Sequence, residues 1–252
     1  MNFQELTDFL NFKAEQYENP IFLESDPIQL PHRFSRKEDI EIVGFLISTI
    51  AWGNRKSIIK SGERLLEIME QNPFEYIKTY NSKNLEHSNF VHRTFNIVDL
   101  DFYFRSLQNI YYRGTLEDAF QNTSSFNGVQ GRIISFREKF MEVEHLDRSH
   151  KHLSNPSKNS AAKRLNMYLR WMTRDAKKGV DFGIWKSIST SELFIPLDVH
   201  TSNNARRLGL LARKQDDWKA LEELMAQIQL MDPIDPVKYD FALFGLGAFE
   251  KF

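Results

Sequence analysis

The chain has 252 residues, no cysteine and a formal net charge of −1. That length can bury a sizeable core, in one domain or two tightly joined subdomains. The lack of cysteine excludes disulfides, thiolate zinc sites and iron–sulfur clusters, and the balanced charge argues against nucleic acid unless basic residues gather on one face.

Heavy use of aromatics, 21 Phe with 4 Trp and 8 Tyr, suits helices packed through large side chains. No apolar run approaches a membrane span, and Met1-Asn2-Phe3-Gln4-Glu5 has no signal-peptide character. A cytoplasmic chain with no membrane partner is expected.

Residues 1–18 read as a first helix with Phe3, Leu6, Phe9, Leu10 and Phe12 as its apolar stripe. Residues 19–36 contain Pro20, Pro27 and Pro31 and read as a loop. Ser35 with Glu38 forms a capping-box pattern ahead of a strongly apolar helix from Ile40 to Ile50, whose near-continuous hydrophobicity implies burial on most sides. Ala51-Trp52-Gly53-Asn54-Arg55 breaks the pattern before an amphipathic helix from about Lys56 to Met69. Short helical patterns and polar loops alternate over residues 72–145, and residues 147–160 are polar.

A helix is expected from near Ser160, with Leu165, Leu169 and Met172 at i, i+4 and i+7 and with Met167, Tyr168 and Trp171 widening its face. Residues 175–197 form a long connection. Asp198 starts the next helix and Gly209 stops it. Asp216-Asp217 caps another, carrying Trp218, Leu221, Leu224, Met225 and Ile228, and Asp235-Pro236 starts the last. Strand-like alternation is scarce, so the fold class is all-α.

Two segments carry the chemistry. Pro196-Leu197-Asp198-Val199-His200 puts a carboxylate at a helix N-terminus, where free amides and the helix dipole favour negative charge. Its plain reading is an N-cap worth about 1 kcal/mol. Ala161-Ala162-Lys163-Arg164-Leu165-Asn166 puts a lysine at another helix start, where its plain reading is a solvated side chain. Lys158, Lys163, Arg164, Arg170, Arg174, Lys177 and Lys178 gather basic charge in one short stretch. Arg170, Asp181 and Asp240 read equally as a buried ion-pair network fixing the 175–197 connection.

Ile195-Pro196-Leu197-Asp198-Val199-His200, followed by Ala205-Arg206-Arg207-Leu208-Gly209, resembles the catalytic-aspartate motif of the helix-hairpin-helix DNA glycosylases. Gly44-Phe45-Leu46-Ile47-Ser48-Thr49-Ile50 with Ala51-Trp52-Gly53-Asn54 is similar to that superfamily's first barrel helix and duplex-probing loop. Phe241-Ala242-Leu243-Phe244-Gly245-Leu246-Gly247 is similar to its helix with a small-residue turn. Lys163-Arg164-Leu165-Asn166, Arg170-Trp171-Met172, Asp181-Phe182-Gly183-Ile184-Trp185 and Asp240-Phe241 make the whole chain resemble a bacterial family of uncharacterised proteins at the superfamily's edge. The resemblance spans about residues 38–249 and is specific around 195–209.

The hairpin candidate, Leu153 to Ala161, departs from the usual pattern. Asn155 and Ser157 stand at its glycine positions, and Asn159 stands where a lysine is usual. The long separation of Lys163 and Asp198 is similar to that in the archaeal 8-oxoguanine glycosylase branch.

The resemblance implies one glycosylase-like unit over residues 1–252, with two helical subdomains flanking a cleft. A middle helical barrel, 38–145, packs on a second subdomain made of 1–37 and 146–252, which carries the hairpin and the catalytic aspartate. It implies Lys163 as Schiff-base nucleophile, with Lys158 as rival, and Asp198 as its electrostatic partner. Trp52, Asn54, Trp171, Trp185 and His200 are the expected substrate contacts, though aromatics at helical spacing also read as core. Asn155, Ser157, Lys158, Asn159, Ser160 and Arg164 are the expected DNA contacts. The implied partner is double-stranded DNA with a damaged base, bound by a monomer without metal or cofactor. The implied activity is base excision, with abasic-site lyase activity through the lysine and oxidised purines as the lesion class. The rival readings are a non-catalytic DNA- or RNA-binding protein on the same scaffold.

Overall fold

A computed structural model describes residues 1–250 and Phe252. The architecture is all-α: among the described residues the only sheet is a two-stranded hairpin of two residues per strand. No helix among them is long and apolar enough to cross a membrane. The chain divides into two compact units, residues 23–154 and residues 1–22 with 155–252. The first therefore begins and ends outside the 38–145 stretch expected for a middle subdomain.

The 23–154 unit is built on α2 (Lys37–Ile50), in which every residue from Asp39 to Ile50 is buried. This agrees with the near-continuous apolar run. The Ser35 capping box does not form: the helix starts at Lys37 with Arg36 as N-cap, so Ser35 lies one residue too early. Residues 27–33 are two short 3-10 turns, each led by proline, rather than open loop. α3 (Arg55–Ile68), α4 (Pro73–Lys78), α5 (Ile97–Arg113), α6 (Leu116–Ala119) and α7 (Gly128–Phe140) complete the unit. Its core is aromatic: Phe45 lies 5.7 Å from Tyr103, 5.3 Å from Phe136 and 5.2 Å from Phe140.

Strands β1 (Val91–His92) and β2 (Phe95–Asn96) lead into α5. Asn96 caps α5, and its amide donates to Asp99 at 3.0 Å. Asp99 is fully buried and also accepts from Ser149 Oγ at 2.7 Å and Arg148 Nη1 at 2.9 Å. His152 Nε2 lies 3.3 Å away. Burial pushes the Asp99 carboxyl up, but these partners outweigh it and hold it at about 2.

In the other unit, α1 (Phe3–Tyr17) begins with an Asn2–Glu5 capping box and buries Leu6, Leu10 and Ala14. The spacing i, i+4, i+8 sets that stripe; Phe12, expected in it, lies off it and is exposed, while Phe3 shares its side but is exposed at the first residue of the helix. α1 packs on α11 (Tyr239–Ala248), which also packs on α9 (Val199–Arg207). Gly247 permits the second contact, because a Cβ there would lie 2.8 Å from Asn204 Nδ2 and 2.9 Å from the His200 side chain. α9 ends in a Schellman turn: Gly209 adopts φ +75°, and the Leu210 amide donates to the Ala205 carbonyl at 2.8 Å. α8 (Lys163–Thr173) and α10 (Trp218–Met231) supply the remaining helices.

Candidate functional site

The start of α8 is shaped by the residues before it. Pro156–Lys158 form a 3-10 turn in which Asn155 accepts from the Ser157 amide at 3.0 Å and from Ser157 Oγ at 2.8 Å. Asn159 and Ala162 then adopt left-handed backbone, φ 64° and 46°. Those two positions, not Asn155 and Ser157, hold the conformation glycine would favour. The turn is tied to the start of α10: Asn159 Nδ2 donates to Asp217 Oδ2 at 2.8 Å, the Trp218 amide donates to the Asn159 carbonyl at 3.1 Å, and Ser160 bridges to Asp217. Lys158 and Ser157 are exposed on this turn, and Arg164 is half-buried one residue into α8.

Asp198 is the N-cap of α9, with Oδ1 accepting from the Thr201 amide at 2.8 Å. Its Oδ2 lies 3.6 Å from Lys163 Nζ. The two residues singled out as nucleophile and partner therefore meet at the starts of two helices. The Lys163 side chain is 39% exposed and that of Asp198 14%, so the amine is open to a ligand while the carboxylate is largely fixed.

Below the pair, α8 carries a polar stripe at helical spacing. Arg170, two turns on from Lys163, is buried. Its Nε lies 3.2 Å from Asp181 Oδ1, its Nη1 pairs with Asp240, and its guanidinium sits 4.4 Å over the Phe241 ring. Arg174 follows, reaching Asp181 at 3.2 Å, Asp235 at 2.7 Å and Glu18 at 2.9 Å. Two of the seven basic residues counted toward a cationic surface are thus interior. Backbone bonds from Phe182 to the Trp171 carbonyl, 2.8 Å, and from Trp185 to the Met172 carbonyl, 2.9 Å, stitch the long connection to the end of α8.

Asp240, near the start of α11, is 7% exposed. Burial pushes its carboxyl up to about 7; Arg170 and Lys163 oppose that shift, and the charges of Asp198 and Asp181 add to it. Burial also pushes up Asp181 and Glu18. Sequence reasoning placed Asp240 only in an ion-pair network. The available signal was a lone acid opening the apolar segment Phe241-Ala242-Leu243-Phe244-Gly245.

The other expected contacts fall elsewhere. Trp171 and Trp185 are 2% and 1% exposed, and Trp185 packs edge-on against Tyr168 at 5.3 Å. Neither offers a face for stacking; their spacing served core packing. His200 is exposed, with its ring edge-on to Phe244 at 5.8 Å. Trp52 and Asn54 belong to the 23–154 unit. Trp52 is half-buried, stacked on His152 at 5.9 Å and edge-on to His92 at 5.3 Å. Asn54 is the N-cap of α3, accepting from the Ser57 amide at 3.4 Å. Among the described residues no group of three or more acidic or histidine side chains could hold a metal ion.

The chain belongs to DUF2400, a family of proteins of unknown function, whose pattern matches residues 26–249. Neither curated proteins nor solved structures give a match.

Proposed function

We propose that this protein is a DNA base-excision glycosylase of helix-hairpin-helix type, with abasic-site lyase activity through a Lys163 Schiff base and oxidised purines as its lesion class. The observation that carries the reading is the 3.6 Å approach of Lys163 Nζ to Asp198 Oδ2 at two adjoining helix starts. A surface lysine and a simple N-cap have no need to meet. The resemblance around residues 195–209 gives that meeting a chemical meaning.

In this reading a damaged nucleotide is drawn out of the stack toward the pair. The neutral amine of Lys163 attacks the anomeric carbon. The bond from that carbon to the base breaks, its electron pair leaves with the base, and the base takes up a proton. Opening of the sugar ring gives an imine, which permits elimination of the 3′ phosphate. Asp198 stabilises positive charge developing on the sugar and accepts the proton the amine must shed. The turn Asn155, Ser157, Lys158, Asn159 and Ser160, with Arg164, lies against the phosphate backbone.

Borohydride trapping on duplexes carrying 8-oxoguanine or an abasic site tests this. A covalent adduct is expected, lost in Lys163→Gln. Asp198→Asn should slow base release about 100-fold or more. An adduct that survives Lys163→Gln but not Lys158→Gln would transfer the nucleophile to Lys158. Base release without an adduct would leave a glycosylase lacking the lyase step. If no lesion is released or trapped, while duplex affinity still falls steeply with salt, a binding protein on the same scaffold replaces the enzyme.

A further inference from the structure

We infer that His145 and His150, in the 23–154 unit, form a two-imidazole site for a divalent transition-metal ion of the Zn2+ and Ni2+ class. The glycosylase resemblance does not call for such an ion, and the inference draws on neither Lys163 nor DNA.

The direction of the nitrogen lone pairs carries it. His145 Nδ1 lies 2.7 Å from the Val143 carbonyl. A carbonyl only accepts, so Nδ1 donates its proton there and Nε2 of the neutral ring presents a lone pair. That Nε2 lies 2.7 Å from His150 Nε2, with the ring centroids 4.8 Å apart. Two ring nitrogens at this distance hold either one proton or one cation between them. A carbonyl on the far nitrogen is the usual outer support of a metal-binding histidine, because it fixes both tautomer and ring direction. Stacking on Phe102 at 4.6 Å fixes the His145 ring further, whereas His150 is exposed and can shift. Tetrahedral coordination with bonds of about 2.0–2.1 Å places two ligand nitrogens about 3.3 Å apart. The pair therefore needs to open by only about 0.6 Å.

The donors set the class of ion. Imidazole nitrogen suits Zn2+, Ni2+ and Cu2+, while Mg2+ and Ca2+ take oxygen. Among the described residues no third acidic or histidine side chain completes a set, so water fills the remaining positions. His145 borders a hollow of about 330 Å³ with room for it, shared with Asp101, Arg105 and Glu144. The one cation there, Arg105, is engaged by Asp101 at 2.8 Å. A shell half made of water holds its ion less tightly than a closed structural site, so micromolar affinity is expected.

Binding also has a structural consequence. His150 lies in the short 3-10 turn Asp147–His152, and His145 lies just before it. Arg148, Ser149 and His152 of that turn reach the buried Asp99 at 2.9, 2.7 and 3.3 Å. An ion joining residues 145 and 150 ties the turn into a closed loop and holds these three partners in place. Metal binding is thereby linked to stability.

Metal titration of the whole chain tests the site. Zn2+, Ni2+ and Mg2+ are each added to metal-free protein, with calorimetry reading the binding and circular dichroism the melting temperature. Saturable binding of a single Zn2+ or Ni2+ per chain is expected, with a micromolar Kd. At about ten times that Kd the Tm should rise by about 3–5 °C. Mg2+ should leave it unchanged. His150→Gln alters an exposed side chain and should abolish both effects, as should His145→Gln. His87→Gln, at another exposed histidine of the same unit, should preserve them. In spectra of 15N-labelled imidazoles, Zn2+ should move the Nε2 resonances of His145 and His150 together. Binding that saturates only at millimolar metal would mean an adventitious ion only, and overturns the inference. So does binding that survives His150→Gln, or an equal rise in Tm with Mg2+. None of these results touches the glycosylase reading, which stands or falls on borohydride trapping.

Discussion

Replacing Arg170 by Met should expose how strongly the buried network depends on one cation. Arg170 is 4% exposed, contacts Asp181 and Asp240, and covers the Phe241 ring. Met fills much of the aliphatic volume but leaves two buried carboxyls without that partner. Removing one member of such a pair costs about 3–5 kcal/mol, and that is the loss expected at pH 7. The pH dependence is the sharper test. Asp240 is pushed up to about 7 from 3.8, so its native form keeps a proton that the unfolded chain loses. Stability from that proton is full at low pH and is lost as pH rises through about 7. Without Arg170 the protonated range of Asp240 and Asp181 extends upward. From pH 7 to 8 the variant should lose about 1 kcal/mol more than wild type if Asp240 stays protonated. Urea unfolding at pH 6, 7 and 8, read by tryptophan fluorescence, measures this directly. Trp171, Trp185 and Trp218 are buried in the unit that holds the network. A loss under about 1 kcal/mol at pH 7, or a gap that stays constant with pH, refutes the reasoning.

Asp99→Asn should destabilise the protein by about 2 kcal/mol at neutral pH. Because the folded carboxyl is held at about 2, that stabilisation is present above 3.8 and is lost as pH falls. Thermal melts between pH 5 and 2 should therefore converge for variant and wild type; parallel curves would count against the assignment. Ala162→Gly should stabilise by up to about 1 kcal/mol, since it relieves a left-handed alanine at φ 46°. A loss of stability there would mean that the alanine side chain contributes more than its backbone costs.

The helix start at Asp198 was legible because an N-cap is written locally, whereas the meeting of Asp198 with Lys163 was expected only from the resemblance. The depth of a side chain is not written in that way. Arg170 read both as surface charge and, with Asp181 and Asp240, as a buried ion-pair network, and the network is what forms; Arg174 looked like surface charge beside Lys177 and Lys178, yet its acids come from positions 18, 181 and 235. Trp171 and Trp185 showed the same ambiguity, because helical spacing suits a core face and a ligand platform alike. The backbone of residues 155–162 was hard to read for another reason. Its left-handed residues are Asn159 and Ala162, and alanine gives no sign of such backbone. The proline-led 3-10 turns of residues 27–33 escaped notice because three prolines in one segment read as a break.

The pairing of α1 with α11 has a consequence for synthesis. Residues 23–154 are one uninterrupted stretch, so they leave the ribosome carrying every partner of their own core and can fold while translation continues. The other unit cannot do the same. α1 is made first, but the helix it packs on begins at Tyr239. Through most of elongation its Leu6, Leu10 and Ala14 face waits for the partner helix that covers it in the folded protein. Arg174 likewise emerges before Asp235. The buried network beneath Lys163 is assembled last, when the final helix brings in Asp240.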